Sequence, residues 1–554
     1  RSEERTRAMK NQFQVVNTEK GKLLLVRTAM AELINKMYPR SVLSTKEQAV
    51  LIPWTLEATQ AVADAGSHIV SPILVDYDFP GQKRPFKHQY KICSFLTANK
   101  RAFCFADMGT GKSLSCAWAA DYLLKIGEVK KVLIVSPISV MNATWAQEFF
   151  DVNPQVTVTV LYGSREKREK LAEQNTQVHI INYDGLKVIE NEIRANAYDL
   201  VIIDECTTYS VQPDMKKDKR TGKMKGYDSR WWTAYRLFKD TKYVWGLTGT
   251  PTLRGVEAAY GQAALITPKT VAGLTKYRFK ERVLRQVGPY TWVERPDAHE
   301  QVAKVLSPAI RIKKKDCIDL PPVVSLYREV ELSDGQKRFY AELKRGSYVE
   351  DGDLQVTAVN GAVLMNKLLQ VATGAIYDDE NQAHKFDVGS RITETIEAIE
   401  RARAESDDPK LGKTLVFVPF KHTAEMLKRE IREQRKDWKI GVITGETSEK
   451  ERSKIFADFQ NEIHPDLIIA TPQTMSHGVT ATAASCIVWF GPCVSAETYV
   501  QACNRIDRPG QRNDMTIIHL YATPVEWKLY KALQESRVSQ SDLLKMYNDF
   551  IKGL

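Results

Sequence analysis

A chain of 554 residues is several times longer than one typical domain, so it holds more than one hydrophobic core and is no peptide-sized binding module. Apolar residues at 43% and charged residues at 27% are ordinary for a folded globular protein and exclude a largely disordered chain. Lysine plus arginine outnumber the acids 79 to 68, a formal charge of +11 that favours polyanionic partners without naming one.

No Cys-x-x-Cys pair occurs among the 8 cysteines, and Cys104, Cys116 and Cys486 lie inside apolar runs, as reduced core thiols do. This spacing predicts a reducing, cytoplasmic setting and no zinc site, and no long uncharged apolar run suggests a membrane span. The first residue is Arg1 rather than methionine, which points to a processed, trimmed or replaced start.

Residues 1–80 read as an accessory region with helical stretches over 27–37 and 54–65 and no catalytic signature. From 81 to 265, short apolar strands at 132–135, 179–181, 200–203 and 243–247 alternate with helical segments, the rhythm of a parallel sheet with crossover helices. Residues 266–385 are helix-rich and locally basic, as at Lys313, Lys314 and Lys315, and read as an insertion and linker. Strands resume at 414–418, 440–443, 467–470, 486–490 and 515–521, so 386–554 reads as a second α/β lobe closed by C-terminal helices.

The stretch Ala106-Asp107-Met108-Gly109-Thr110-Gly111-Lys112-Ser113 follows an apolar run and leads into a helical segment over 114–124. Gly109 and Gly111 lack side chains, so backbone amides can curl around phosphate oxygens while the helix aims its positive end at them. Lys112 would reach the β- and γ-phosphates of ATP, with Ser113 on Mg2+. Farther on, the apolar strand 200–203 ends in Asp204-Glu205. A sheet edge there can hold Asp204 on the water shell of the metal while Glu205 orients and deprotonates an attacking water.

With these two halves in place, the chain resembles superfamily-two helicases, and specifically the Swi/Snf-type translocases, collinearly over roughly 84–525. Arg84-Pro85-Phe86-Lys87-His88-Gln89 resembles the adenine-reading segment, in which Gln89 would bond the base edge. Leu133-Ile134-Val135-Ser136-Pro137, with Trp145 and Phe149 after it, resembles the strand-end loop that meets the nucleic-acid backbone, so Ser136 is a candidate contact. Leu247-Thr248-Gly249-Thr250-Pro251 resembles the motif that couples the ATP site to the track. The stretches 306–322 and 331–343 resemble those that close the first lobe in Swi/Snf-type proteins and follow it, while 413–420 and 466–482, including Gly478, resemble motifs of the second lobe.

Gln501-Ala502-Cys503-Asn504-Arg505-Ile506-Asp507-Arg508-Pro509-Gly510-Gln511 resembles the arginine-finger motif. Two arginines spaced by three lie on one helical face, so Arg505 and Arg508 can both point across the cleft between the lobes at the nucleotide, with Gln501 beside it. A finger of this kind is worth roughly 10³–10⁵ in rate. The resemblance implies an α/β fold with two RecA-like parallel-sheet lobes, a helical insertion or linker between them and a small N-terminal accessory region. It implies ATP with Mg2+, and DNA as partner, double-stranded or branched, with single-stranded DNA or RNA as the alternative track. A strand-separating helicase and a motor subunit of a restriction-type complex are the competing functions.

Two departures stand out. Cys206-Thr207 follow the acids where the family usually places histidine, and Thr252-Leu253-Arg254 replace the common eukaryotic residues, a pattern closer to phage- or bacterium-encoded members. The segment 216–226 carries Lys216, Lys217, Lys219, Arg220, Lys223 and Lys225 against the single acid Asp218, and is expected to form a basic loop or hairpin on DNA, the alternative being a solvated surface loop.

Overall fold

The computed structural model describes residues 13–535 apart from 19–20, 68, 82, 215, 218–223, 226–228, 253–254, 289–290, 318–319, 347, 352–353, 358–360, 378–382 and 476–479. The chain divides into two compact units, 1–252 with 256–317, and 253–255 with 318–554.

The first unit opens with four antiparallel strands, β1 (Phe13–Thr18), β2 (Gly21–Arg27), β3 (Val42–Ser44) and β4 (Ala49–Pro53), in the order β1-β2-β4-β3. Leu24, Val26, Val50 and Ile52 form a buried cluster with Ala31, Ile34, Ala58 and Val62 from helices Ala31–Met37 and Leu56–Asp64. The helix expected over 27–37 therefore begins late: Arg27 closes β2 opposite Ala49, because the alternation of half-buried and buried residues along β2 has a period of two. Gln60, on the second helix, fastens this region to the sheet that follows, donating to the Thr97 carbonyl (3.0 Å) and the Tyr243 hydroxyl (2.7 Å). That hydroxyl in turn donates to Glu128 Oε1 at 2.8 Å.

The main sheet of the first unit uses β5 (Arg101–Ala106), β6 (Val132–Ser136), β7 (Val158–Val160), β8 (Val178–Asn182) and β9 (Leu200–Ile203). After a short hairpin of β10 (Lys216–Lys217) and β11 (Met224–Lys225) come β12 (Tyr243–Thr248), a hairpin of β13 (Leu284–Gly288) and β14 (Thr291–Glu294), and β15 (Ala309–Ile312). Seven strands pair in the order β15-β5-β12-β9-β6-β8-β7, every neighbour parallel. Successive side chains of β5 divide between two cores, Ala102, Cys104 and Ala106 in one and Phe103 and Phe105 in the other. Helices cover both faces, so these strands are apolar at nearly every position rather than at alternate ones.

The second unit repeats the plan. Its strands are β16 (Val323–Glu329), the pairs β17 (Tyr348–Asp351) with β18 (Leu354–Thr357) and β19 (Ala375–Tyr377) with β20 (Ala383–Lys385), then β21 (Lys413–Phe417), β22 (Ile440–Ile443), β23 (Leu467–Ala470), β24 (Ala484–Trp489) and β25 (Met515–Tyr521). Six of them form a parallel sheet, β16-β25-β24-β21-β23-β22. Again the strand side chains alternate between two cores, Leu415 and Phe417 in one and Val416 and Val418 in the other.

The segment 266–385, expected as one linker, is divided between the units, and each part lends its sheet an edge strand, β15 to the first and β16 to the second. Edge strands are half solvated, and both carry exposed positions, so neither has the continuous apolar run that betrays a central strand.

Inside the second unit, Arg391 and Glu526 are almost fully buried and paired at 2.6 Å. Arg391 also donates to the carbonyls of Phe490 and Leu520, while Glu526 Oε2 accepts from the amides of Ala522 (2.8 Å) and Thr523 (3.1 Å). Every charge is thus compensated, and removing one partner strands the other. Arg391→Met should lower the stability of this unit by about 3–5 kcal/mol in urea unfolding, and Arg391→Met with Glu526→Leu should recover most of the loss.

His179 and His519 are buried, and burial first of all pushes both imidazoles down to about 4. His519 Nδ1 faces the Leu326 carbonyl at 3.1 Å and Nε2 faces the Tyr499 hydroxyl at 2.8 Å, which fixes a neutral tautomer. A depressed pKa means that the unfolded chain binds the proton more readily. The contribution of each histidine is therefore complete above about 6.5 and is lost as pH falls toward 4. Melting temperature measured across that window should decline, and His519→Gln should flatten the decline.

Candidate active site

Strand β5 ends at Ala106, and helix Lys112–Lys125 begins six residues later, with Gly111 immediately before it. Gly109 (φ +81°) and Gly111 (φ +73°) are both left-handed, which turns the intervening backbone into a tight cradle. Thr110 Oγ1 closes it by donating to the Asp107 carbonyl at 2.8 Å. The first helical residue is Lys112 and the second Ser113, so both stand where the helix presents free amides and its positive pole.

Helix Lys87–Ala98 packs beside this cradle. His88 Nε2 lies 2.8 Å from the Thr110 carbonyl, Gln89 Oε1 accepts from the Phe86 amide (2.8 Å), and Gln89 Nε2 reaches the carbonyls of Thr110 and Gly111 at 3.5 Å. Arg311, from edge strand β15, donates to Asp107 Oδ1 (2.8 Å) and to the Gly249 carbonyl (2.7 Å), joining the cradle to the turn after β12.

The two acids follow β9 directly. Asp204 accepts from the Glu205 amide on Oδ1 (3.1 Å) and from the Trp145 indole on Oδ2 (2.9 Å), while its carbonyl accepts from the Tyr183 hydroxyl (2.7 Å). Glu205 has φ +47°, a left-handed conformation unusual for a residue with a side chain and of the kind that functional sites hold under constraint. Its Oε1 lies 3.4 Å from Lys112 Nζ, and its Oε2 accepts from Thr248 Oγ1 at 3.2 Å. Thr248 Oγ1 accepts in turn from the Thr250 amide, so the turn after β12 senses the position of Glu205.

The electrostatics match this geometry. Burial pulls the Lys112 ammonium down, but the carboxylates of Glu205 and Asp204 more than offset it, and the net shift is upward. Burial and then the Glu205 charge raise the Asp204 carboxyl. Two carboxylates share one lysine in a buried place, and a hard divalent cation held by oxygen ligands fits the remaining deficit of positive charge. Asp204 and Ser113 are the residues that would hold it.

Other candidates fall elsewhere. Ser136 is fully buried and its hydroxyl faces the Pro137 carbonyl, so the surface of that strand-end loop begins at Pro137 and Ile138 and Ser136 is not offered as a contact. The basic segment does form a hairpin at its base, Lys216 opposite Lys225 and Lys217 opposite Met224, whereas Lys219, Arg220 and Lys223 lie outside the described residues.

In the second unit, helix Ala496–Cys503 carries the buried Gln501, whose amide faces Glu497 at 3.5 Å. That helix stops before the arginines, so Arg505 and Arg508 stand on a turn and do not share a helical face. Pro509 disfavours helical geometry at Arg508, and Gly510 at φ +101° completes the break. Arg505 is fully buried, whereas Arg508 keeps some exposure and donates to the Asn504 carbonyl and to Thr480 Oγ1, each at 3.1 Å. Gln511 staples the turn, donating to the carbonyls of Ala484 (2.8 Å) and Ile506 (3.1 Å). Gly478 lies outside the described residues.

Sequence reasoning missed His88, Tyr183 and Arg311 as supports, because nothing in their spacing says that they return to the cradle or to Asp204. Cys206, flagged for replacing a histidine, is buried and donates its thiol to Gln262 Oε1 at 3.4 Å. Gly111→Ala would force a side chain into a left-handed position, with its Cβ 2.2 Å from Gln89 Nε2. Nucleotide affinity measured by fluorescence titration should fall at least tenfold, with the melting temperature nearly unchanged.

The SNF2-related domain model matches residues 88–398, and the helicase conserved C-terminal domain model matches residues 395–510. Protein p41 of Acyrthosiphon pisum secondary endosymbiont phage 1 is 25% identical over 478 residues, covering 83% of this chain and 97% of that protein. The SWI/SNF-related matrix-associated actin-dependent regulator of chromatin subfamily A-like protein 1 of Xenopus laevis is 23% identical over 81% of this chain, which spans only 42% of that relative. A solved structure, the Sulfolobus solfataricus SWI2/SNF2 ATPase core in complex with dsDNA, is 19% identical with a TM-score of 0.39, covering 85% of this chain and 96% of that one. With one family model spanning more than half of its length, the chain belongs to the SNF2-related family and is a DNA-dependent, helicase-like ATPase of the Swi/Snf type.

Proposed function

We propose that the chain is a translocase on double-stranded DNA that uses ATP hydrolysis to remodel forks, branches, R-loops or protein–DNA complexes in a bacterial or phage-infected cell. The observation that carries this reading is the network Lys112, Glu205, Thr248 and Thr250, which joins the phosphate cradle, the acids and the coupling turn at the C-terminal ends of β5, β9 and β12. Asp204 and Ser113 would hold Mg2+, which would withdraw charge from the phosphate oxygens. Lys112 neutralises the β- and γ-phosphates, and Glu205 orients the attacking water and accepts its proton. Gln89 reads the adenine edge. Arg508, the more accessible arginine, supplies a guanidinium to the developing phosphoryl charge, with Arg505 and Gln501 shaping its turn.

Contact with DNA runs through the phosphate backbone, so sequence preference is low and affinity is strongly salt-dependent. The hairpin based on Lys216, Lys217 and Lys225 adds to that contact. Lys112→Ala and Glu205→Gln should each abolish DNA-stimulated hydrolysis, Glu205→Gln while keeping nucleotide affinity, and Arg508→Ala should slow turnover by roughly 10³ or more. Steady-state hydrolysis with duplex DNA, single-stranded DNA and RNA in parallel tests the track. Duplex should stimulate most, and stronger stimulation by a single strand or by RNA overturns the translocase reading in favour of a strand-separating helicase.

A further inference from the structure

Between helical turns Ile138–Val140 and Gln147–Val152, residues Met141–Ala146 wind as a π-helix. Such turns hold an extra residue, are uncommon, and recur where a side chain must be re-aimed at a functional site. The side chain re-aimed here is Trp145. It is fully buried in the core that holds Met141, Phe149 and Trp118, and its indole N–H meets Asp204 Oδ2 at 2.9 Å.

Asp204 is fixed at every polar atom of that end. Oδ1 takes the Glu205 amide, Oδ2 takes the indole, and the backbone carbonyl takes the Tyr183 hydroxyl. One lone pair on each carboxylate oxygen remains for a metal or its water shell. Phenylalanine could fill the core beside Phe149 but carries no donor, whereas the tryptophan indole fills it and brings an N–H to Asp204. Without it, Oδ2 is buried and unpaired, and the carboxylate is free to turn.

We propose that Trp145 is a positioning residue for the metal side of the ATP site, acting through Asp204 alone; this rests on the assignment of Asp204 to Mg2+ made above. Outer partners of metal-binding side chains typically carry roughly 10–100-fold in metal affinity or activity.

The test removes the N–H, in one of two variants with the volume kept. Trp145→Phe, and the full chain carrying 3-benzothienylalanine at position 145, in which sulfur replaces the indole N–H, are compared with wild type and Asp204→Asn. The readout is the Mg2+ concentration that gives half-maximal binding of a fluorescent ADP analogue, alongside melting temperature. The benzothienyl protein should need roughly tenfold more Mg2+ with little change in melting temperature, Trp145→Phe should show the same shift on top of a loss of packing, and neither change should add to the shift of Asp204→Asn when combined with it. Wild-type Mg2+ dependence in the benzothienyl protein, with Asp204→Asn shifted, overturns the inference and leaves Trp145 a packing residue. An unshifted Asp204→Asn overturns the Mg2+ assignment itself.

Discussion

The charge arrangement of the first unit depends on one compensated burial. Lys112, Asp204 and Glu205 converge at the C-terminal ends of two parallel strands, where water is scarce and no single charge would be tolerated alone. Lys112 offsets one acid and leaves the other short of a partner, so the site stores a demand for added positive charge. A nucleotide bound with a divalent cation brings both the phosphates that Lys112 wants and the cation that the acids want. The supports, buried His88 on the Thr110 carbonyl and exposed Arg311 across Asp107 and Gly249, hold the cradle in shape so that little reorganisation is needed when those groups arrive.

Conformational constraint is concentrated at the same place. Glu205 is held left-handed between the Lys112 ammonium and the Thr248 hydroxyl, and Thr248 is tied to the Thr250 amide. A change in what Glu205 holds thus reaches the turn after β12 through two hydrogen bonds, a short physical route from phosphate chemistry to a surface loop. The second unit answers with a different kind of burial. Arg391 and Glu526 are completely paired and saturated, which makes them a structural clamp, whereas Arg508 on its turn keeps some exposure.

The glycine loop between its strand and helix and the apolar strand ending in Asp204-Glu205 were legible because each is a local pattern. The rhythm of buried strands was legible for the same reason, since 132–135 and Leu467–Ala470 are apolar throughout. The edge strands Ala309–Ile312 and Val323–Glu329 were not, because a half-solvated strand leaves no continuous run, and of the N-terminal region the two helices were legible to within a few residues while the four short strands around them were not.

Sequence by itself determined where backbone freedom and charge are concentrated, because the left-handed backbone at Gly109 and Gly111 and the charges of Lys112, Asp204 and Glu205 are properties of residues and their immediate neighbours. Only the tertiary structure decided how those groups are held: that Trp145 reaches Asp204, that Arg311 returns to Asp107, that Ser136 is buried, and that Arg505 and Arg508 leave the helix. Each of these depends on partners distant in sequence or on where a helix stops, and packing fixes both after the local pattern has been spent.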